Sequence, residues 1–317
     1  LRPSGNPTSL ASGFRRVALA SPRVGAYSAR VPLTLQQCLD GKRFGLVMSA
    51  GFFGFYGHAG FLKGLAAARL APSAYAGTSA GGLIAAFAAA GMGADEIAEV
   101  LFHQRREDFW DLDALGLLLG AARGDHGPTG LLKGDRFQAL LRKTLPVRTF
   151  EECPHPLLVS AANLTTARTT CFTSGELAPR VHATCAYPGL FRAVDLDGAL
   201  YWDGGLVDKA PALALAESDA GKGLEALLVH YLPSRVAANL GGPLAYVRGM
   251  DAGMAGLRHD HFKLQLRALE AKLPVYVVES NLPPVSPTTM NRGPAAAEAA
   301  RASILQALAR EPVAFDT

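Results

Sequence analysis

The chain has 317 residues, 49% of them hydrophobic, with a formal net charge of +4; that is apolar material for one large α/β domain or two small ones. No run of eighteen apolar residues occurs, which excludes a membrane-spanning helix, and Cys38, Cys153, Cys171 and Cys185 lack C-x-x-C spacing, which argues against a metal site or disulfide framework and for free thiols in a reducing, cytoplasmic compartment. The excess charge sits at one end, where Arg2, Arg15, Arg16, Arg23 and Arg30 occur with no acidic residue before Asp40, so a whole-protein basic face for nucleic acid is not supported.

Residues 1–32 are rich in Ser, Pro, Gly and Arg without sustained periodicity, and are expected to be poorly ordered or draped over the domain. Phe14 to Ala20 has the look of an export signal but is stopped by Ser21-Pro22 and Arg23, so no signal peptide is expected. The chain therefore divides into a basic N-terminal segment, 1–40, suited to peripheral contact with an acidic membrane, and an α/β domain over 41–317. Phe44 to Ser49 reads as the first central strand. A glycine-rich loop, Ala50 to Gly60, follows, and a helix over Phe61–Arg69. Strand, glycine loop and helix in that order make an anion cradle of backbone N–H groups. The spacing of Gly51, Gly54, Gly57 and Gly60 does not fit a dinucleotide fingerprint.

Ala74 to Ala90 then runs strand, tight turn, helix, with Gly77-Thr78-Ser79-Ala80-Gly81 at the turn. A serine on such a turn is lifted off the sheet, and the turn closes only if the residues two positions either side lack bulk, as Gly77 and Gly81 do. Beyond it, Ala94–Phe102 is a helix. Trp110 to Gly120 is apolar enough for a buried helix, an acyl-channel wall or a lid, and Asp135 opens a helix with Phe137, Leu140, Leu141 and Leu145 inward. Pro156–Asn163 and Thr169–Thr173 read as strands, and Val181–Ala186 as a short helix. Asp197-Gly198 marks a hairpin whose second strand delivers Asp203-Gly204-Gly205. Ala226–Tyr231 and Pro274–Glu279 are further core strands, separated by a helix over 250–269 and followed by a helix over Pro294–Ala309. Alternating strands and helices indicate a mostly parallel sheet with helices on both faces.

A serine needs a base. Of the histidines after Ser79, only His230 closes a predicted strand, and His58 precedes the serine inside the glycine loop as a structural residue. Asp203 is the stronger candidate, because Gly204 and Gly205 behind it let another backbone approach closely.

The ordered set Gly51-Phe52-Phe53-Gly54, Gly77-Thr78-Ser79-Ala80-Gly81 and Asp203-Gly204-Gly205 resembles the patatin-like phospholipase family of lipid acyl hydrolases. The likeness spans Arg43 to Ala214 and includes Cys185–Phe191 and Gly205–Pro211. It implies a patatin-like three-layer sandwich and a Ser-Asp dyad acting without histidine, metal or cofactor. Carried over, Ser79 is the nucleophile of a serine esterase and Asp203 its base. The N–H groups of Gly51, Phe52 and Phe53 form the oxyanion hole, and a lipid or acyl ester is the substrate. An acyltransferase on a related sheet, or a lipid-binding module with a decayed site, are the alternative readings. The family's loop commonly carries an arginine near the oxyanion. Here the loop is aromatic and has none, so recognition of a phosphate head group is not expected from it, and neutral or single-chain esters become as plausible as diacyl phospholipids.

Overall fold

The computed structural model describes residues 14–19, 33–113, 130–234 and 245–314. Strand β1 (Phe14–Leu19) comes first, then helix α1 (Leu35–Leu39), opened by a capping box between Thr34 and Gln37. Next are β2 (Phe44–Met48) with α2 (Phe55–Ala67), β3 (Ala74–Thr78) with α3 (Ala80–Ala89), and then α4 (Ala94–His103) and α5 (Arg106–Phe109). The middle of the chain gives β4 (Gly130–Leu132), α6 (Asp135–Thr144), β5 (Leu157–Asn163) and β6 (Arg168–Phe172). It continues with α7 (Leu177–Cys185), β7 (Gly189–Phe191), β8 (Val194–Leu196) and β9 (Ala199–Asp203). The rest is α8 (Ala212–Glu217), β10 (Ala226–Tyr231), α9 (Ala245–Leu269), β11 (Val275–Ser280), α10 (Gly293–Leu308) and β12 (Val313–Ala314).

One ten-stranded sheet runs in the order β12, β1, β11, β10, β2, β3, β5, β9, β8, with β6 also on β5. The five central strands from β11 to β5 are parallel. Side chains alternate between the faces of a strand, and the two cores divide accordingly. Phe44, Leu46, Met48, Leu228 and Val278 pack toward α1, α2, α3, α4, α7 and α10. Val47, Leu227, Val229, Tyr231 and Val277 pack toward α8 and α9. The fold is a mostly parallel sheet with helices on both faces, a three-layer α/β sandwich.

Two local expectations are corrected. Phe14–Leu19 is a strand, antiparallel to β11. Without it, the edge of β11 would present unpaired N–H and C=O groups, and only the far end of the chain supplies that need, so local periodicity does not reveal it. The remainder of the basic N-terminal segment to Pro32 lies outside the described residues. Second, α2 begins at Phe55, so Gly57 and Gly60 are helical and not loop. They are small for different reasons: a Cβ on Gly60 would overlap the Ala297 carbonyl where α10 crosses, and one on Gly57 would overlap the Leu282 side chain in the segment after β11. Of Trp110–Gly120, residues 114–120 lie outside the described residues. Asp113 is buried and paired with Arg192.

Gly60→Ala should therefore destabilise the protein by about 1–3 kcal/mol, although alanine is the better helix former by about 1 kcal/mol. A urea midpoint equal to or above that of the wild type would contradict this packing.

Candidate active site

Strand β5 positions the site. Its residues 159–163 pair with β6 on one edge, so β3, paired at 157–160, and β9, paired at 161–163, must share the other edge. The two run in opposite directions. β3 stops at Thr78 opposite Ser160, and β9 stops at Asp203 opposite Ala161. The residues that leave their ends, Ser79 and Asp203-Gly204, are thus forced together.

Ser79 holds φ 55° and ψ −126°, a conformation that L-residues rarely adopt, and half-buries its side chain at the start of α3. The turn closes because a Cβ on Gly77 would overlap the backbone of Gly81, and one on Gly81 would overlap the Met48 carbonyl. Thr184 fixes it from α7, accepting from the Ser79 N–H at 2.9 Å and donating to the Ser160 carbonyl at 2.5 Å. Gly204 sits so close to Ser160 that a Cβ would strike that same carbonyl, and a Cβ on Gly205 would strike Ala50.

Ser79 Oγ donates to Asp203 Oδ2 at 2.5 Å, and Asp203 Oδ1 accepts from the Gly205 N–H at 2.7 Å. Asp203 is buried, and desolvation pushes its carboxyl up to about 6 against the opposing hydrogen bonds from Ser79 and Gly205 and the charge of Arg258. The loop before α2 turns through a Gly54 N–H bond to the Gly51 carbonyl at 2.8 Å, with Phe53 at φ 53°. Among the described residues, none accepts from the N–H groups of Gly51, Phe52 or Phe53, so the loop keeps backbone donors available. Phe52 is exposed and packs on Phe53 and Tyr187, making an aromatic mouth.

Ser79 and Asp203 open on a cavity of about 630 Å³ whose apolar arm includes Leu83, Phe87, Leu101, Phe137, Leu141 and Met290. No histidine lines it among the described residues. His58 and His230 are fully buried elsewhere, in a hydrogen-bonded chain that sequence reasoning missed. The Ser49 carbonyl can only accept, so His58 Nε2 carries a proton and donates to it at 2.8 Å. His58 Nδ1 then accepts from His230 Nδ1 at 2.8 Å, and His230 Nε2 accepts from the Ser280 hydroxyl at 3.0 Å. Burial keeps the pair neutral, holding His58 down to about 4 and His230 well below the usual imidazole range. The chain anchors Ser49, where the glycine loop begins. Sequence reasoning also missed two cations at the polar end of the cavity, Lys209 and Arg258.

The sequence profile of the patatin-like phospholipase family matches residues 46–216, more than half of the chain. The chain belongs to the patatin-like phospholipase family. That family is one of lipid hydrolases. NTE family proteins of Mycobacterium bovis and Mycobacterium tuberculosis are 28% identical over 91 residues, which is 29% of this chain and 25% of theirs. The match thus spans a quarter of the length of these curated relatives. Among solved structures, VipD from Legionella pneumophila is 15% identical with a TM-score of 0.44, covering 95% of this chain and 71% of its own. Human GIVD cytosolic phospholipase A2 is 10% identical with a TM-score of 0.39, covering 84% of this chain and 58% of its own. The type III effector ExoU is 14% identical with a TM-score of 0.38, covering 85% and 54%.

Two stability outcomes follow from this patatin-like site. The folded-state pKa of Asp203 is raised above the ordinary 3.8, so the cost of ionising it is absent below pH 3.8 and complete above about 6. Asp203→Asn should therefore be the more stable protein at pH 8, by roughly 3 kcal/mol, and the gap should close on acidification toward pH 4. Denaturation curves at the two pH values decide it, and a gap independent of pH would contradict the assignment. His58→Ala leaves the His230 N–H and the Ser49 carbonyl unpaired in the core, and should cost about 2–4 kcal/mol in the same assay.

Proposed function

We propose that this protein hydrolyses carboxylic esters of fatty acids through an acyl-Ser79 intermediate, with Asp203 as the base. The observation that carries this is the 2.5 Å bond from Ser79 Oγ to a buried carboxylate, at the polar end of an otherwise apolar cavity.

Asp203 takes the Ser79 proton as Oγ forms a bond to the ester carbonyl carbon. The N–H groups of Gly51, Phe52 and Phe53 receive the negative charge on the carbonyl oxygen. The tetrahedral species collapses by breaking the bond to the leaving oxygen, which takes the proton from Asp203 and departs as the alcohol. Water then gives a proton to Asp203 and attacks the acyl carbon. Ser79 Oγ recovers that proton as the fatty acid leaves. A carboxylate at its ordinary pKa is a weak base for this work. Burial raises Asp203 to about 6, nearer to operating pH, while the short bond holds it in line with Oγ. The apolar arm of the cavity suits a single acyl chain. A decayed binding module would gain nothing from a strained serine bonded to a desolvated carboxylate, since both features cost stability.

Intact-mass labelling with a fluorophosphonate tests the reading. One adduct is expected on the wild type and none on Ser79→Ala; no adduct on folded protein, with or without detergent micelles, would refute an activated serine. Asp203→Asn should lower kcat/KM by about 10²–10⁴ on a soluble acyl ester. On the wild type, kcat/KM should fall as pH drops through about 6, because protonated Asp203 cannot accept the Ser79 proton. A profile flat from pH 5 to 8 would exclude Asp203 as the base.

A further inference from the structure

Lys209 stands on the cavity wall, and the ester chemistry gives it no role. We infer that its side-chain amine is a nucleophile, and that the cavity holds aliphatic aldehydes covalently, as an imine on Lys209 Nζ. This site is separate from the hydrolase reading, because it uses neither Ser79 nor Asp203.

Lys209 is 4% exposed and lines the same cavity as the apolar arm. Its amine is held in place from two sides. Nζ donates to Ser234 Oγ at 2.7 Å and lies 4.6 Å from the centre of the Tyr231 ring, on β10. The charges around it are mixed. Arg258 on α9 opposes a second positive charge, while Asp251 on α9 and Glu279 on β11 favour one. Burial, and then Arg258, prevail over the two carboxylates and hold the amine down to about 7. At pH 8 most of it is therefore the free base. A lysine desolvated beside a second cation has a lone pair ready to attack a carbonyl. Bulk alone at this place on the wall would be supplied by Met, without the cost of desolvating an ammonium.

The same neighbours suit each stage of the reaction. Nζ forms a bond to the aldehyde carbon, and the carbonyl electron pair moves to oxygen. The amine gives up a proton and that oxygen gains one, making a carbinolamine; Ser234, which accepts from Nζ, can take the first proton as it passes on its own. The C–O bond then breaks, water leaves, and an iminium remains. Amine and aldehyde become imine and water, with no oxidant or reductant. The iminium is a cation at Nζ. The Tyr231 ring, Asp251 and Glu279, which oppose the free base, favour that product. The apolar arm selects an aliphatic chain for the rest of the ligand.

Reductive trapping tests the site. The full-length wild type and Ser79→Ala are incubated at pH 8 with equimolar octanal and sodium cyanoborohydride, and the adduct is located by peptide mass mapping. One dominant adduct on Lys209 is expected in both proteins. Acetaldehyde at the same concentration should label Lys209 at least about tenfold less, because it cannot fill the arm. The share of label on Lys209, relative to the exposed lysines, should rise as pH falls from 9 to 7, because its free base persists down to about pH 7. Lys209→Met and Lys209→Arg should each lose the octanal preference; the wild-type peptide map decides even where a variant does not fold. Label spread evenly over the exposed lysines, equal labelling by the two aldehydes, or an octanal preference that survives Lys209→Met would each overturn the proposal. Fluorophosphonate labelling of Ser79 is a separate readout. Labelled Ser79 without the Lys209 adduct keeps the hydrolase and removes this site; the adduct without labelled Ser79 does the reverse.

Discussion

One edge of β5 organises this molecule. β3 and β9 approach it from opposite directions and stop on adjacent residues, Ser160 and Ala161. Two strand ends cannot meet this way with side chains in between, which is why the junction is built from Gly77, Gly81 and Gly204 and stitched by short hydroxyls. Thr78 Oγ1 and Ser160 Oγ are 2.6 Å apart, and Thr184 bridges the Ser160 carbonyl to the Ser79 N–H. Whatever tightens this seam shortens the distance between Ser79 and Asp203. The separation of those two residues is thus a property of the sheet and not of their own rotamers.

The seam holds features that a fold would not keep for stability. Ser79 and Phe53 have φ of 55° and 53°, each of which costs on the order of 1–3 kcal/mol. Asp203 is a carboxylate out of water. What over-determines them is rigid and lies just beneath. The parallel strands are buried on both faces, and the neutral chain from Ser280 through His230 and His58 reaches the Ser49 carbonyl. Ser49 Oγ accepts in turn from the Leu232 N–H at 2.8 Å, so the start of the glycine loop is held from two directions. A loop held at its base can keep N–H groups unpaired at its tip, as an oxyanion site requires.

Much of this was legible in the chain because it is local. Gly77 and Gly81 flank a serine between a strand pattern and a helix pattern, and Asp197-Gly198, with φ of 55° and 82°, closes the hairpin that ends at Asp203. The central strands are continuous apolar runs. What was not legible depends on partners far away in sequence. The same glycine spacing serves a loop at Gly51 and Gly54 and helix contacts at Gly57 and Gly60, and only Leu282 and α10, both far along the chain, tell them apart. His58 and His230 are 172 positions apart, and nothing in either neighbourhood announces the other. β1 has no pattern of its own because its pairing is with β11.

The cations carry the same lesson into recognition. An arginine in the glycine loop would have been visible in the sequence, and its absence argued against a phosphate partner. Here positive charge arrives from elsewhere, Lys209 just beyond Asp203-Gly204-Gly205 and Arg258 from the long helix α9. The donors proposed for the oxyanion are backbone groups, indifferent to the side chains around them, so the loop was free to become aromatic. Lys209 and Arg258 are linked to the residues around Ser79 and Asp203 through the Ala50–Lys209 and Gly205–Arg258 hydrogen bonds.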